Sequence, residues 1–323
     1  MVILLFFSVL ALVCYLLPAT LLRKFRLVDD SFAKHMAVLT LYVTQCAMFI
    51  HGFIYKFDKS VFLNLVLVFL IACGVHLLAY FVVHLLFKKT ASNLQKVLRF
   101  GIVFSNAGYM GIPVITDVFG AEYAIYATGY IVAFNLFAFT LGRLIYTEDK
   151  KYVSFKKAIF NPAVISIIIG LIIYVTGLGG VIQDCLGKDG VGYGLVNAIY
   201  NVLGVFKNMV APVSMMVIGA RLADTSFKGI WKDKNVYLYC AMRLFIIPIL
   251  VWLILLPFYS FGLLDYTIYA IILILSSTPG ATLTTMFAEL YDGDAAYSGK
   301  LVALTTLLSV ITMPTVSLLL NIL

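Results

Sequence analysis

Charge is what this sequence has least of. Of 323 residues, 23 are Lys or Arg and 15 are Asp or Glu, a charged share of 12% where water-soluble domains carry about 25%. So few polar groups cannot clothe globular domains of this length, which excludes a soluble protein and makes the bilayer its solvent. Low-complexity runs and nucleic-acid motifs are lacking, so the net charge of +8 is read by location along the chain. Histidine is scarce at four, and the five cysteines show no CxxC spacing, with Cys14, Cys46, Cys73 and Cys240 inside apolar runs. Cysteines so placed read as small buried hydrophobes, and no cofactor or metal cluster is expected. Two facing mid-span aspartates are missing, as is Gly-x-Ser with a distant His at spanning depth, which argues against an intramembrane enzyme. Paired intramembrane carboxylates are missing too, with Asp117 and Glu289 at span ends, so a cation–proton antiporter ranks as an alternative reading only.

What is abundant is apolar sequence, 63% of the chain at a mean hydropathy of +1.05. A spanning helix takes about 20 apolar residues. Runs at Val2 to Leu22, Ala33 to Tyr55, Val61 to Phe87, Phe100 to Val118 and Tyr123 to Tyr146 meet this, as do Ala158 to Thr176, Asn201 to Ala220, Asn235 to Pro257, Tyr266 to Glu289 and Ala295 to Leu320. The expectation is an all-α polytopic membrane protein of ten transmembrane helices. Arg23, Lys24 and Arg26 follow the first run, the reverse of a cleaved signal peptide, so it reads as a retained helix. Connections 1–2, 3–4, 5–6 and 7–8 then hold 17 Lys and Arg: Arg23, Lys24, Arg26 and Lys34; Lys88, Lys89, Lys96 and Arg99; Arg143, Lys150, Lys151, Lys156 and Lys157; Arg221, Lys228, Lys232 and Lys234. The opposite connections hold Lys56, Lys59 and Lys188. This bias makes the rich side cytoplasmic and puts both termini on the non-cytoplasmic side, the expected location being the cell membrane.

Five helices per half is odd, so a duplicated half enters the membrane upside down and gives two inverted five-helix repeats. The halves are residues 1–147 and 158–323, joined by a short cytoplasmic linker at 148–157. The fourth span carries Ser105-Asn106-Ala107-Gly108 and then Gly111-Ile112-Pro113; the ninth carries Ser277-Thr278-Pro279-Gly280. Proline removes a backbone donor and glycine loosens the helix, so both patches predict mid-membrane breaks. A break exposes one half-helix N-terminus, whose N–H groups and dipole attract anions. Two such breaks crossing make a candidate anion site of Ser105, Asn106, Pro113, Ser277, Thr278, Pro279 and Gly280.

Several polar residues need an account. Arg243 lies deep in the eighth span, where a guanidinium requires an anionic or carbonyl partner. It either clamps backbone carbonyls or a helix C-terminus, or it attracts a carboxylate substrate. Lys207 either snorkels or forms an external anion funnel, with Asp117 as a candidate partner. Gln45, Asn135 and Asn208 read first as helix-to-helix hydrogen-bonding amides, and aligning Gly52 with Gly219 sets Gln45 opposite Pro212. His76, Tyr80 and His84 share one face of the third span, for packing or proton handling.

Taken together, SNAGYMGIP (Ser105 to Pro113), Asn161-Pro162, APVSMMVIGARLA (Ala211 to Ala223), Arg243 to Pro248, Ser277 to Thr282 and LVALTTLLSVITMP (Leu301 to Pro314) resemble the auxin efflux carrier family of PIN-like transporters, in its bacterial type. The resemblance implies a bile-acid-transporter and sodium–proton-antiporter-like fold. Helices 1, 2, 6 and 7 would form a scaffold, helices 3–5 and 8–10 a transport domain, and helices 4 and 9 would cross at Pro113 and Pro279. It implies elevator-type transport of a small organic anion, with Asn106 and Thr278 lining the crossing and Gln45 facing it from the scaffold. His76 and Asn135 would support the site with Arg243. The expected substrates are carboxylates such as malate, malonate or auxin-like acids, with H⁺ or Na⁺ coupling open and a homodimer formed through the scaffold. A substrate-sensing receptor on the same fold is the remaining alternative.

Overall fold

The computed structural model describes residues 1–87, 92–147, 160–188, 190–224, 232–291 and 293–322. The expected linker 148–157, with Lys150, Lys151, Lys156 and Lys157, lies outside the described residues, as do Lys88, Lys89 and Lys228. Among the described residues seven helices are long and apolar enough to cross a membrane: α1 (Val2–Lys24), α2 (Phe32–Gly52), α3 (Lys59–Leu86), α6 (Ala121–Thr147), α9 (Val191–Ala223), α10 (Lys234–Ser260) and α13 (Ala295–Asn321). A bent pair, α7 (Pro162–Val175) and α8 (Leu178–Cys185), makes up to eight. Shorter helices complete the bundle: α4 (Ser92–Val103), α5 (Ala107–Phe119), α11 (Tyr266–Ser277) and α12 (Leu283–Leu290).

Several of the few acids begin helices. Asp58, Asp233, Asp265 and Asp294 cap α3, α10, α11 and α13, each accepting a backbone N–H of the first turn. Asn161 does the same for α7. A cap carboxylate satisfies an orphan donor and complements the positive dipole end. The expected sixth run, Ala158 to Thr176, ends where the chain bends by 79° into α8, at Gly177, whose φ of +78 is a left-handed conformation that a side chain would resist.

Large apolar side chains face outward on α1, α3, α7, α9 and α10, for example Phe7, Phe81, Ile172, Val205 and Ile254. The opposite case is α11, where every residue from Ile268 to Ser277 is buried. A helix apolar all round has no water-facing stripe and belongs inside other helices. Around it, α3 packs on α6, α10 on α11 and α12 on α13, while α9 packs along α1 and α2, and α7 on α2. Turns of π-helix interrupt α2 at Thr40–Thr44, α6 at Ala138–Gly142 and α10 at Met242–Ile246, and one opens α5 at Ala107–Gly111.

Candidate functional site

Two pairs of short helices meet end to end in the core. After α4 the chain runs through Phe104, Ser105 and Asn106 before α5 begins; after α11 it runs through Thr278 to Thr282 before α12. The two interruptions form an antiparallel bridge at Ser105 and Gly280. Asn106 N–H donates to the Pro279 carbonyl at 2.8 Å, and Ala281 N–H donates to Phe104 at 3.0 Å. Unwound backbone in a dry interior needs such partners, so each break satisfies the other. The helices then lie as a cross: Phe100 of α4 packs on Phe287 of α12 at 4.8 Å between ring centres, and Gly111 of α5 abuts Leu275 of α11.

Carbonyls at both C-terminal ends are taken by side-chain donors. Arg243, 1% exposed, donates from one terminal nitrogen to Ile102 O at 2.7 Å and from the other to Ser276 O, so its fork spans the C-termini of α4 and α11. Ser277 and Thr278 hydroxyls donate to Ile274 O and Leu275 O, both at 2.8 Å, and Ser105 Oγ donates to Leu275 O at 3.1 Å. Each C-terminus carries about −0.5 charge, so one guanidinium balances the pair. Of the two roles open for Arg243, the geometry is that of the backbone clamp.

The amide ends differ. Asn106, 3% exposed, opens α5 with its side-chain nitrogen buried and unpartnered; Thr282 and Thr284, in the first turn of α12, have buried unpartnered hydroxyls. Gln45, at 6% exposure, places its side-chain nitrogen 3.5 Å from where a Cβ on Gly108 would stand. A cavity of about 240 Å³ lies one turn further along α5, lined by Ile112, Pro113, Thr116 and Asp117, by Met48 and Phe49 of α2, and by Lys207 and Asn208 of α9.

Not every expected position holds. Pro113 is not at the crossing, which forms at Ser105 and Asn106; proline is tolerated in a helix's first turn, and the π turn Ala107–Gly111 precedes it. Pro279 does stand in the second break. Asn135 bonds within its own helix, to Ile131 O at 2.9 Å, rather than to a neighbour. His76 is fully buried, bonded to Ala72 O at 2.7 Å and stacked on Phe137 with Phe104 and Tyr130 beside it, so the packing reading fits it. Lys207 and Asp117 line one cavity, with no ion pair between them among the described residues. Arg143, placed in a connection by sequence, is 6% exposed with its guanidinium over the Tyr291 ring at 5.4 Å.

Sequence reasoning missed Thr282, Thr284, Tyr239 and Thr305. Thr305 Oγ1 accepts from Gly280 N–H at 3.3 Å, and the Tyr239 ring fills the space beside Gly101 and Gly280. The spacing from Tyr239 to Arg243, one helical turn on a shared face, was the available signal. Compared with known proteins, the chain matches a family model described as membrane transport protein over residues 147–317. Among curated proteins none matches.

Proposed function

The chain belongs to the membrane transport protein family, that of the auxin efflux carriers, and on that premise we propose that it is a secondary carrier of small organic anions working by an elevator-type movement. The carrying observation is at the crossing: Arg243 spends both terminal nitrogens on the two carbonyl ends, while the amide ends keep unpartnered buried groups on Asn106, Thr282 and Thr284, beside those of Arg243 Nε and the Tyr239 hydroxyl. An unsatisfied buried donor costs about 1–3 kcal/mol, and two helix N-termini offer about one positive charge. A carboxylate supplies the missing acceptor and the missing charge together. Ser105, Ser277 and Thr278, whose protons are already committed, offer it shape rather than donors.

In this reading each broken helix is one span, which with the seven long helices and the bent pair makes ten, in two inverted repeats. The close packing of α9 on α1 and α2 and of α7 on α2 supports one unit as scaffold, with the remaining helices as the moving body. In this reading the protein sits in the cell membrane, and its charge bias turns the cavity toward the outside. Malate, malonate and indole-type acids are the first substrates to try, with or without H⁺ or Na⁺ coupling. The test is uptake of these labelled acids into proteoliposomes, with and without pH and Na⁺ gradients. Asn106→Leu removes the orphan donor, so uptake should fall at least about tenfold while the melting temperature stays level or rises. Unchanged uptake in that variant would remove the crossing as the site.

A further inference from the structure

The second halves of the two broken helices end alike. Asp117 stands nine residues after Gly108 in the last turn of α5, and Glu289 stands nine after Gly280 in the last turn of α12. Their present situations are opposite. Glu289 accepts an ion pair from Arg221 of α9 at 2.7 Å, at the end of the bundle away from the cavity. Asp117 faces the cavity with Lys207, also of α9, and makes no ion pair among the described residues. Thus one long helix carries two cations 14 residues apart, about 21 Å along its axis, and each broken helix presents one carboxylate.

We propose that these four residues form a pair of alternating latches: Arg221–Glu289 holds the bundle shut at one end while the cavity is open at the other, and Asp117 joins Lys207 when the cavity closes. The idea rests on the reading of α5 and α12 as parts of a body that slides along α9. In the proposed slide Asp117 moves inward along α9 and comes within reach of Lys207, with which it already shares the cavity wall. The same slide draws Glu289 away from Arg221. The existing pair is half exposed, 36% and 40% for the two side chains, and pairs of that kind contribute little. A weak bond suits a latch that must open in every cycle, and its loss should shift the balance of states by up to about fivefold.

The test places a reporter in the cavity. Ser8 lines it, and Ser8→Cys is labelled from the cavity side with a membrane-impermeant maleimide, over the background of the chain without that substitution. Glu289→Gln should reduce labelling by up to about fivefold, and Asp117→Asn should increase it. The reversed pair, Arg221→Glu with Glu289→Arg, should return labelling to its starting level and guards against a folding artefact. Unchanged or greater labelling in Glu289→Gln, or reduced labelling in Asp117→Asn, overturns the proposal. Uptake of labelled carboxylates is measured on the same preparations. Labelling that shifts as expected without any uptake leaves the latches standing and removes the anion reading; uptake with unmoved labelling removes the latches alone.

Discussion

At the scale of single residues, the crossing depends on how little room two glycines leave. Tyr239 is fully buried, with its hydroxyl lodged between Gly101 of α4 and Gly280 of the second break. A methyl group at Gly280 would collide with that hydroxyl alone, since the next ring atom is 3.4 Å away. At Gly101 it would also meet ring carbons at 2.8 and 3.0 Å. Overpacking of a tight core costs about 1–3 kcal/mol, so both Gly280→Ala and Gly101→Ala should lower the melting temperature. The two should part company when the hydroxyl is removed. Tyr239→Phe should restore most of the stability of Gly280→Ala and little of that of Gly101→Ala. Equal rescue of both, measured by thermal unfolding in detergent, would mean that the ring is freer than its burial indicates.

At the scale of helices, Arg243 answers a problem that breaking two helices creates. The carbonyl ends of α4 and α11 would face one another in a medium of low dielectric, each about half a negative charge. The π turn at Met242–Ile246 contains the arginine, and its planar fork reaches one carbonyl with each terminal nitrogen. Arg243→Ala leaves both carbonyls buried without that donor, and hydrogen bonds to a charged group are worth about 1.5–3 kcal/mol each. The melting temperature should drop well below that of any surface variant, if the protein accumulates at all. Arg243→Lys keeps the charge but not the fork, and should fall between the two. An Arg243→Gln protein as stable as the parent, with only its substrate affinity weakened, would return the arginine to the role of an anion attractor.

At the scale of the whole molecule, sparse charge and long apolar runs made the membrane class legible, and matched Gly and Pro patches made the two breaks legible. The bridge itself was not, because Ser105 and Gly280 meet through backbone atoms and their side-chain identities carry no trace of the pairing. Pro113 misled for a related reason: a proline signals an end of helix, but not which residues of the preceding turn leave it. Thr282 and Thr284 were overlooked because hydroxyls in membrane helices commonly bond back to their own turn, as Ser276 and Thr306 do here at 2.8 and 2.7 Å. Orientation is the part that sequence addresses and geometry alone leaves free. Lys24, exposed at the end of α1, belongs to the lysine-rich side, and Lys188, exposed after α8, to the poor side. Insertion energetics hold Lys and Arg on the cytoplasmic side of short connections. An impermeant thiol reagent applied to intact cells should therefore modify Lys188→Cys at once and Lys24→Cys only after permeabilisation. The reverse pattern would turn the molecule over, so that the cavity between α5 and α9 opened to the cytoplasm and the Arg221–Glu289 pair closed the outer face.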